Sequence, residues 1–219
     1  MSVNPSSRQS ILDRVRLATQ EGHQDTASAY ADIKRNYIRA GMLNGRERIS
    51  LMIERLREYD AVVVETTPKD LATTIAEQLA TNGGSTFVAP DGLPSEWLTA
   101  GLDWKLDGNM PADEIERANG VLTASSFGIA DSGTIVLHHT STEGRRVLTL
   151  LPDWHLCVLR TSHVVETLPE YFDRCSSRPL LATYISGPSA TADIEMTRIK
   201  GVHGPRFLHV IVVHDEPLT

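Results

Sequence analysis

Between Ile185 and Val213 the chain gathers the side chains best suited to chemistry: Ser189, Thr191, Asp193, Glu195, Thr197, Arg198, His203 and His209. Gly187-Pro188 breaks the apolar run before them, and Gly201 and Gly204-Pro205 break the chain again ahead of the β-branched run Val210 to Val213. This order predicts a strand, a polar turn, one or two helical turns, a glycine loop and a second strand. A helix starting there would turn its backbone N–H groups and the positive end of its dipole toward an anion. Ser189 and Thr191 would add hydroxyl donors, and Arg198 would pair with Glu195 or with the ligand. His203 lies in the glycine loop and can exchange a proton near neutral pH. The candidate ligand-binding residues are therefore Gly187, Ser189, Thr191, Asp193, Glu195, Arg198 and His203, with Asp193 and His203 the candidates for catalysis. A plain capped helix, with Asp193 in its first turn, is the simpler account. Six polar side chains in the ten residues from Ser189 to Arg198 are more than a cap requires.

A second polar turn, Ala130-Asp131-Ser132-Gly133-Thr134, precedes a strand, and Asp131, Ser132 and Thr134 are candidates for another wall of the same cleft. A hairpin turn chosen for its backbone conformations is the competing reading. His138 and His139 are adjacent on that strand and must point to opposite faces, so only one can meet a pocket. Arg145-Arg146 after Gly144 can hold an anion or lie in a solvated turn. Several motifs are missing: no glycine-lysine pair of a phosphate loop, no GxGxxG, and no GxSxG nucleophile elbow. No metal site is expected, because Asp193 and Glu195 do not share a helix face and His203 and His209 lack zinc-helix spacing. His209, within a strand, reads as structural.

A chain of 219 residues carrying 41% hydrophobic residues can bury a domain-sized core. The net charge of -7 speaks against nucleic acid as a partner. No apolar run approaches the length of a membrane span, and the first residues lack a signal-peptide core, so a cytoplasmic location is expected. Cys157 and Cys175 are the two cysteines, too few for a four-cysteine zinc site or iron–sulfur cluster within one chain. Cys157, in an apolar run, reads as a buried thiol.

These candidates need a scaffold, and its pieces can be read in order. Ile11, Leu12, Val15 and Ala18 mark a short amphipathic helix over residues 6–20, an arm suited to packing on a neighbour, including another copy of the chain. Residues 1–43 read as a helical arm and linker, and residues 44–219 as the domain. Ile49, Met52, Ile53, Leu56 and Tyr59 form one stripe of a helix over 46–59. A β-branched strand at 61–65, a helix begun by Thr67-Pro68 and ended by Asn82-Gly83-Gly84, and a strand at 86–89 make a βαβ unit with a parallel pair. Alternation at Leu102, Trp104 and Leu106 suggests a half-exposed strand. Strands are expected at 121–125, 133–139, 147–151 and 155–160, antiparallel or mixed, and a helix over 163–174 with Val164, Val165, Leu168, Tyr171 and Phe172 inward.

Three segments together are similar to one family: ADSGTIVL at Ala130 to Leu137, GRRVLTLLPDWHLCVLR at Gly144 to Arg160, and ISGPSATADIEMTRIKGVHGPRFLHV at Ile185 to Val210. The chain resembles the lactate-utilisation protein C family, built on the LUD domain, over roughly residue 44 onward. The resemblance implies an α/β fold of the NagB/RpiA/CoA-transferase kind, a mixed, mainly parallel sheet with helices on both faces. It also implies a place in a three-component system that oxidises L-lactate to pyruvate with two iron–sulfur partner proteins. Those clusters would sit on the partners, with no cofactor in this chain, which would bind a small carboxylate. The family brings no catalytic residue to transfer. A stand-alone isomerase- or transferase-like enzyme acting on a small phosphorylated or carboxylated metabolite is the rival reading.

Overall fold

The computed structural model describes residues 7–20, 26–175, 179, 181–192, 198–200 and 204–216. Two units emerge, Met1–Tyr37 and Ile38–Thr219. The first holds helices α1 (Ser7–Gln20) and α2 (Thr26–Ala31). Ile11, Val15 and Leu17 on α1 are exposed.

The second unit begins with α3 (Gly45–Glu58), which Asn44 caps: its side chain accepts from the Glu47 N–H while the Glu47 carboxylate accepts from the Asn44 N–H. Ile49, Met52, Ile53 and Leu56 of the expected stripe are buried, while Tyr59, expected in it, is exposed. There follow β1 (Val62–Thr66), α4 (Leu71–Asn82), β2 (Thr86–Ala89), β3 (Asp103–Leu106), α5 (Ala112–Glu116), β4 (Gly120–Ala124), β5 (Phe127–Ile129) and β6 (Thr134–Leu137). The chain continues through β7 (Trp154–Arg160), β8 (Val164–Val165), α6 (Leu168–Arg174), β9 (Thr183–Ile185), β10 (Ala190–Ala192), β11 (Arg198–Lys200) and β12 (Phe207–Val213).

Six strands form an all-parallel sheet in the order β1-β12-β7-β4-β2-β3. A mixed sheet of four, β8-β5-β6-β9, lies beside it, and β10 and β11 form a separate antiparallel pair. One face of the parallel sheet meets α4: Leu71, Ile75 and Leu79 pack with Leu122, Leu156, Val158 and Ile211. The opposite face meets α3 and the small sheet, where Met52 and Leu56 pack with Ile135, Leu137, Cys157, Leu159 and Val210. α5 and a 3₁₀ turn at Arg146–Thr149 extend that cover through Ile115 and Leu148 on Val88 and Val121.

Five sequence expectations change. The strands expected at 121–125 and 155–160 to be antiparallel or mixed are β4 and β7, parallel to their neighbours in the six-stranded sheet. β1 and β2 share the parallel sheet but are not neighbours, because β12, β7 and β4 are inserted between them. The expected strand at 147–151 is the 3₁₀ turn Arg146–Thr149, with Leu148 buried in the α5 core and Val147 and Leu151 packed against it. The helix expected over 163–174 begins at Leu168, where Thr167 and Glu170 form a capping box. Val164 and Val165 instead pair with β5, and Leu168 and Phe172 stay exposed. After Gly187-Pro188 the chain enters β10 rather than a helix. The amides that would have opened that helix are used elsewhere: Ser189 N–H donates to the Pro205 carbonyl at 2.8 Å, and Ala190–Ala192 pair with Arg198–Lys200.

Candidate functional site

A cleft of about 420 Å³ opens where β9, the turn after it, the 3₁₀ turn Arg146–Thr149 and the first residues of β7 and β12 converge. Ligands in open parallel sheets usually sit beyond the carboxyl ends of the strands. Here His155 and Leu208 contribute from near the amino ends of β7 and β12, and β9 of the small sheet lines the same cleft. Gly187 makes the wall: at φ 81° it takes a left-handed conformation, and a Cβ there would run into Tyr59. The facing wall, Gly204-Pro205, is anchored by Arg206, whose Nε lies 2.7 and 2.8 Å from the Asp153 carboxylate oxygens.

Arg146 supplies the positive charge. Its Nη1 donates to the Thr149 carbonyl and hydroxyl, each at 3.0 Å, and among the described residues it meets no carboxylate. Half-buried, it has its pKa lowered by burial alone. Its neighbour Arg145 is spoken for: Nε and Nη2 grip Asp107 at 2.7 and 2.5 Å, and Nη2 also reaches the Met110 carbonyl. The Arg145 guanidinium, bonded to Asp107, holds that carboxyl below its usual range. One arginine is thus structural, and the next one faces a cleft as a cation that meets no carboxylate among the described residues, a setting that favours a bound anion.

The loop that carries both arginines is set by Glu143. This buried carboxylate accepts from Ser126 Oγ at 2.6 Å and from the His138 and Thr140 N–H groups at 2.6 and 3.2 Å. His155 lies on the cleft floor, with Nε2 at 2.8 Å from Thr123 Oγ1. Burial, reinforced by Arg146, pushes its pKa down to about 3. It is neutral at physiological pH, a hydrogen-bonding wall rather than a second cation.

Gly187 and Ser189 line this cleft. Thr134 reaches it indirectly: its hydroxyl lies 2.7 Å from Ser186 Oγ, a lining group, and 2.8 Å from Ser132 Oγ. Asp131 and Ser132 are exposed at their turn. Thr191 and Arg198 fall on the β10–β11 pair, where the backbone alone is described, with Cα partners Thr191↔Ile199 and Ala192↔Arg198. Asp193, Glu195 and His203 lie outside the described residues. His209 faces away from the cleft, its Nδ1 3.0 Å from Gln78 Oε1 and its ring 4.8 Å from Trp154. Of the adjacent histidines, His138 turns to the Tyr171 hydroxyl at 2.9 Å, and His139 lines a second cleft of about 410 Å³ that also reaches Arg146.

The sequence alone does not bring His155, Thr149 or Thr183 to the site, because each sits in a segment that reads as plain strand or connector. A histidine inside the apolar run of β7 was the available signal. Among the described residues no three His, Cys, Asp or Glu side chains converge to hold a metal, and no helix is long and apolar enough to cross a membrane. Cys157 is buried, and burial pushes its thiol up to about 12, so it is no nucleophile.

An all-parallel sheet backed by a small mixed one, with a polar, arginine-bearing cleft at their junction, defines a specific class of α/β domain. The chain belongs to the LUD domain family, whose profile matches residues 53–213. It is 40% identical over 166 residues to lactate utilization protein C of Deinococcus radiodurans, covering 73% of this chain and 76% of that one. It is 31% identical over 189 residues to lactate utilization protein C of Geobacillus thermodenitrificans, covering 76% and 78%. The crystal structure of a DUF162 family protein from Deinococcus radiodurans matches with a TM-score of 0.67 at 35% identity, over 78% of this chain and 99% of that one.

Proposed function

We propose that this chain is a non-redox component of an L-lactate utilisation system, binding an organic acid through its carboxylate while iron–sulfur partner proteins carry the electrons. The observation that carries the reading is Arg146, a half-buried cation without a carboxylate partner among the described residues, set in a cleft lined by hydroxyl groups. The names of the relatives in Deinococcus radiodurans and Geobacillus thermodenitrificans supply the pathway. Arg146 and the hydroxyls of Ser186 and Ser189 would hold the carboxylate of a hydroxy- or keto-acid, with Asp193 and His203 as candidates for proton transfer. Oxidation of lactate releases two electrons, which clusters or flavins on partners would accept.

The NagB/RpiA/CoA-transferase kinship of the fold, a cytoplasmic location and a docking role for the arm at residues 6–20 belong to the same reading. Lactate-dependent dye reduction by the two iron–sulfur partners, with and without this chain, tests it. The rate should depend on all three proteins. An equal rate without this chain would end the reading.

A further inference from the structure

The two clefts meet at an arrangement that carboxylate binding alone does not use. His139, just beyond β6, has φ 56°. Residues with a side chain take that left-handed conformation uncommonly, histidine more often than most, and such strain gathers at working sites. The ring is fixed at both nitrogens: Nδ1 lies 2.9 Å from the Gly144 carbonyl oxygen and Nε2 lies 2.9 Å from Thr183 Oγ1. A carbonyl oxygen only accepts, so in the neutral ring Nδ1 carries the proton and Nε2 accepts from the Thr183 hydroxyl. Thr183 lines the Arg146 cleft, and His139 lines the adjoining one. A hydroxyl that donates to an imidazole whose other nitrogen is oriented by an acceptor is the arrangement that activates alcohol nucleophiles. A cation in the same cleft completes what an anionic acyl substrate requires.

We propose that Thr183 and His139 form a nucleophile–base pair that hydrolyses esters of anionic carboxylic acids, with Arg146 holding the acid's free carboxylate. Thr183 Oγ attacks the acyl carbon and its proton passes to His139 Nε2. The bond from acyl carbon to the leaving oxygen breaks, and the leaving group takes that proton. Water then attacks the Thr183 ester while Nε2 accepts its proton, and the proton returns to Thr183 Oγ as the acid departs. No electrons are transferred. A simple pin between β9 and the loop after β6 would require the hydrogen bond alone, and neither a left-handed histidine nor a neighbouring guanidinium that meets no carboxylate among the described residues.

This proposal rests on the anion-binding reading of Arg146, so both are measured together. The full chain is given mono-p-nitrophenyl succinate or p-nitrophenyl acetate, nitrophenolate release is followed, and the protein is examined by intact mass. Pyruvate binding is measured in parallel by calorimetry. The expected result is faster release from the succinate ester than from the acetate ester, with a succinyl adduct on Thr183. Thr183→Val removes the adduct and slows release on the order of a hundredfold, His139→Gln slows it similarly, and Thr183→Ser keeps it. Arg146→Gln raises KM for the succinate ester and so narrows its advantage over the acetate ester. Circular dichroism and Tm confirm that each variant is folded. Release in Thr183→Val equal to wild type, or none above buffer in wild type, overturns the nucleophile pair even if pyruvate binds. Loss of pyruvate binding in wild type would count against the anion site itself.

Discussion

Strand β7 reads Trp154-His155-Leu156-Cys157-Val158-Leu159-Arg160, and its alternate residues serve two different interiors. Trp154, Leu156 and Val158 join the α4 core, where Trp154 also packs edge-on against Phe87 at 6.0 Å. On the other face Cys157 and Leu159 sit in the α3 core, while His155 opens toward Arg146 and the cleft. The period of two in a strand places a polar histidine and an inert leucine one residue apart on opposite sides. The lesson is that the stability of this domain and its chemistry are carried by neighbouring residues on separate faces, and mutations should separate them.

The largest effect is expected on the α4 face. Leu156→Ala should lower unfolding free energy by roughly 2–5 kcal/mol, through lost burial and the cavity left behind. Urea denaturation reads it out, and pyruvate affinity of the folded protein should stay unchanged. A loss below roughly 1 kcal/mol would mean that the face is not packed as described.

The arginine neighbours sharpen the same contrast. Arg145→Gln leaves Asp107 without its bidentate partner and should cost about 1 kcal/mol, since the pair is partly solvated. Arg146→Gln breaks no ion pair among the described residues and should stay within about 0.5 kcal/mol of wild type. The reverse order in thermal denaturation would invert their assignment.

The pH dependence offers a subtler test. His155 has its pKa pushed down to about 3 from an ordinary 6.5, so the unfolded chain binds its proton first as pH falls. Its contribution to stability is therefore lost progressively from pH 6.5 toward 3. His138 and His209, lowered by burial, act in the same direction. Asp107 and Asp153 are also lowered, but from 3.8, so their contribution is lost only at more acid pH. His155→Gln should give a shallower fall in stability between pH 6.5 and 4 than wild type. An unchanged slope would show that the ring is not held neutral.

Much of this was legible in the sequence because it is local. The stripe of α3, the left-handed Gly83 that ends α4 and the alternation of β7 follow from neighbours in the chain. What was not legible depends on partners far away. Asp107, 38 residues before Arg145, decides which of two adjacent arginines is structural. Pro205 takes the Ser189 amide and Lys200 pairs with Ala190, turning an expected helix start into a strand. The insertion of β12, β7 and β4 between β1 and β2 likewise comes from segments later in the chain. One wall of the cleft, Gly187 to Ser189, is recognisable in the sequence, while its charge comes from Arg146, a residue equally suited to a solvated turn.

The most direct test of the anion-site account is calorimetric titration of L-lactate and pyruvate into wild type and Arg146→Gln, with Arg145→Gln as control. The account predicts binding to wild type and to a folded Arg145→Gln, and at least tenfold weaker binding to Arg146→Gln. Equal affinity in wild type and Arg146→Gln, or no binding to wild type, would contradict it.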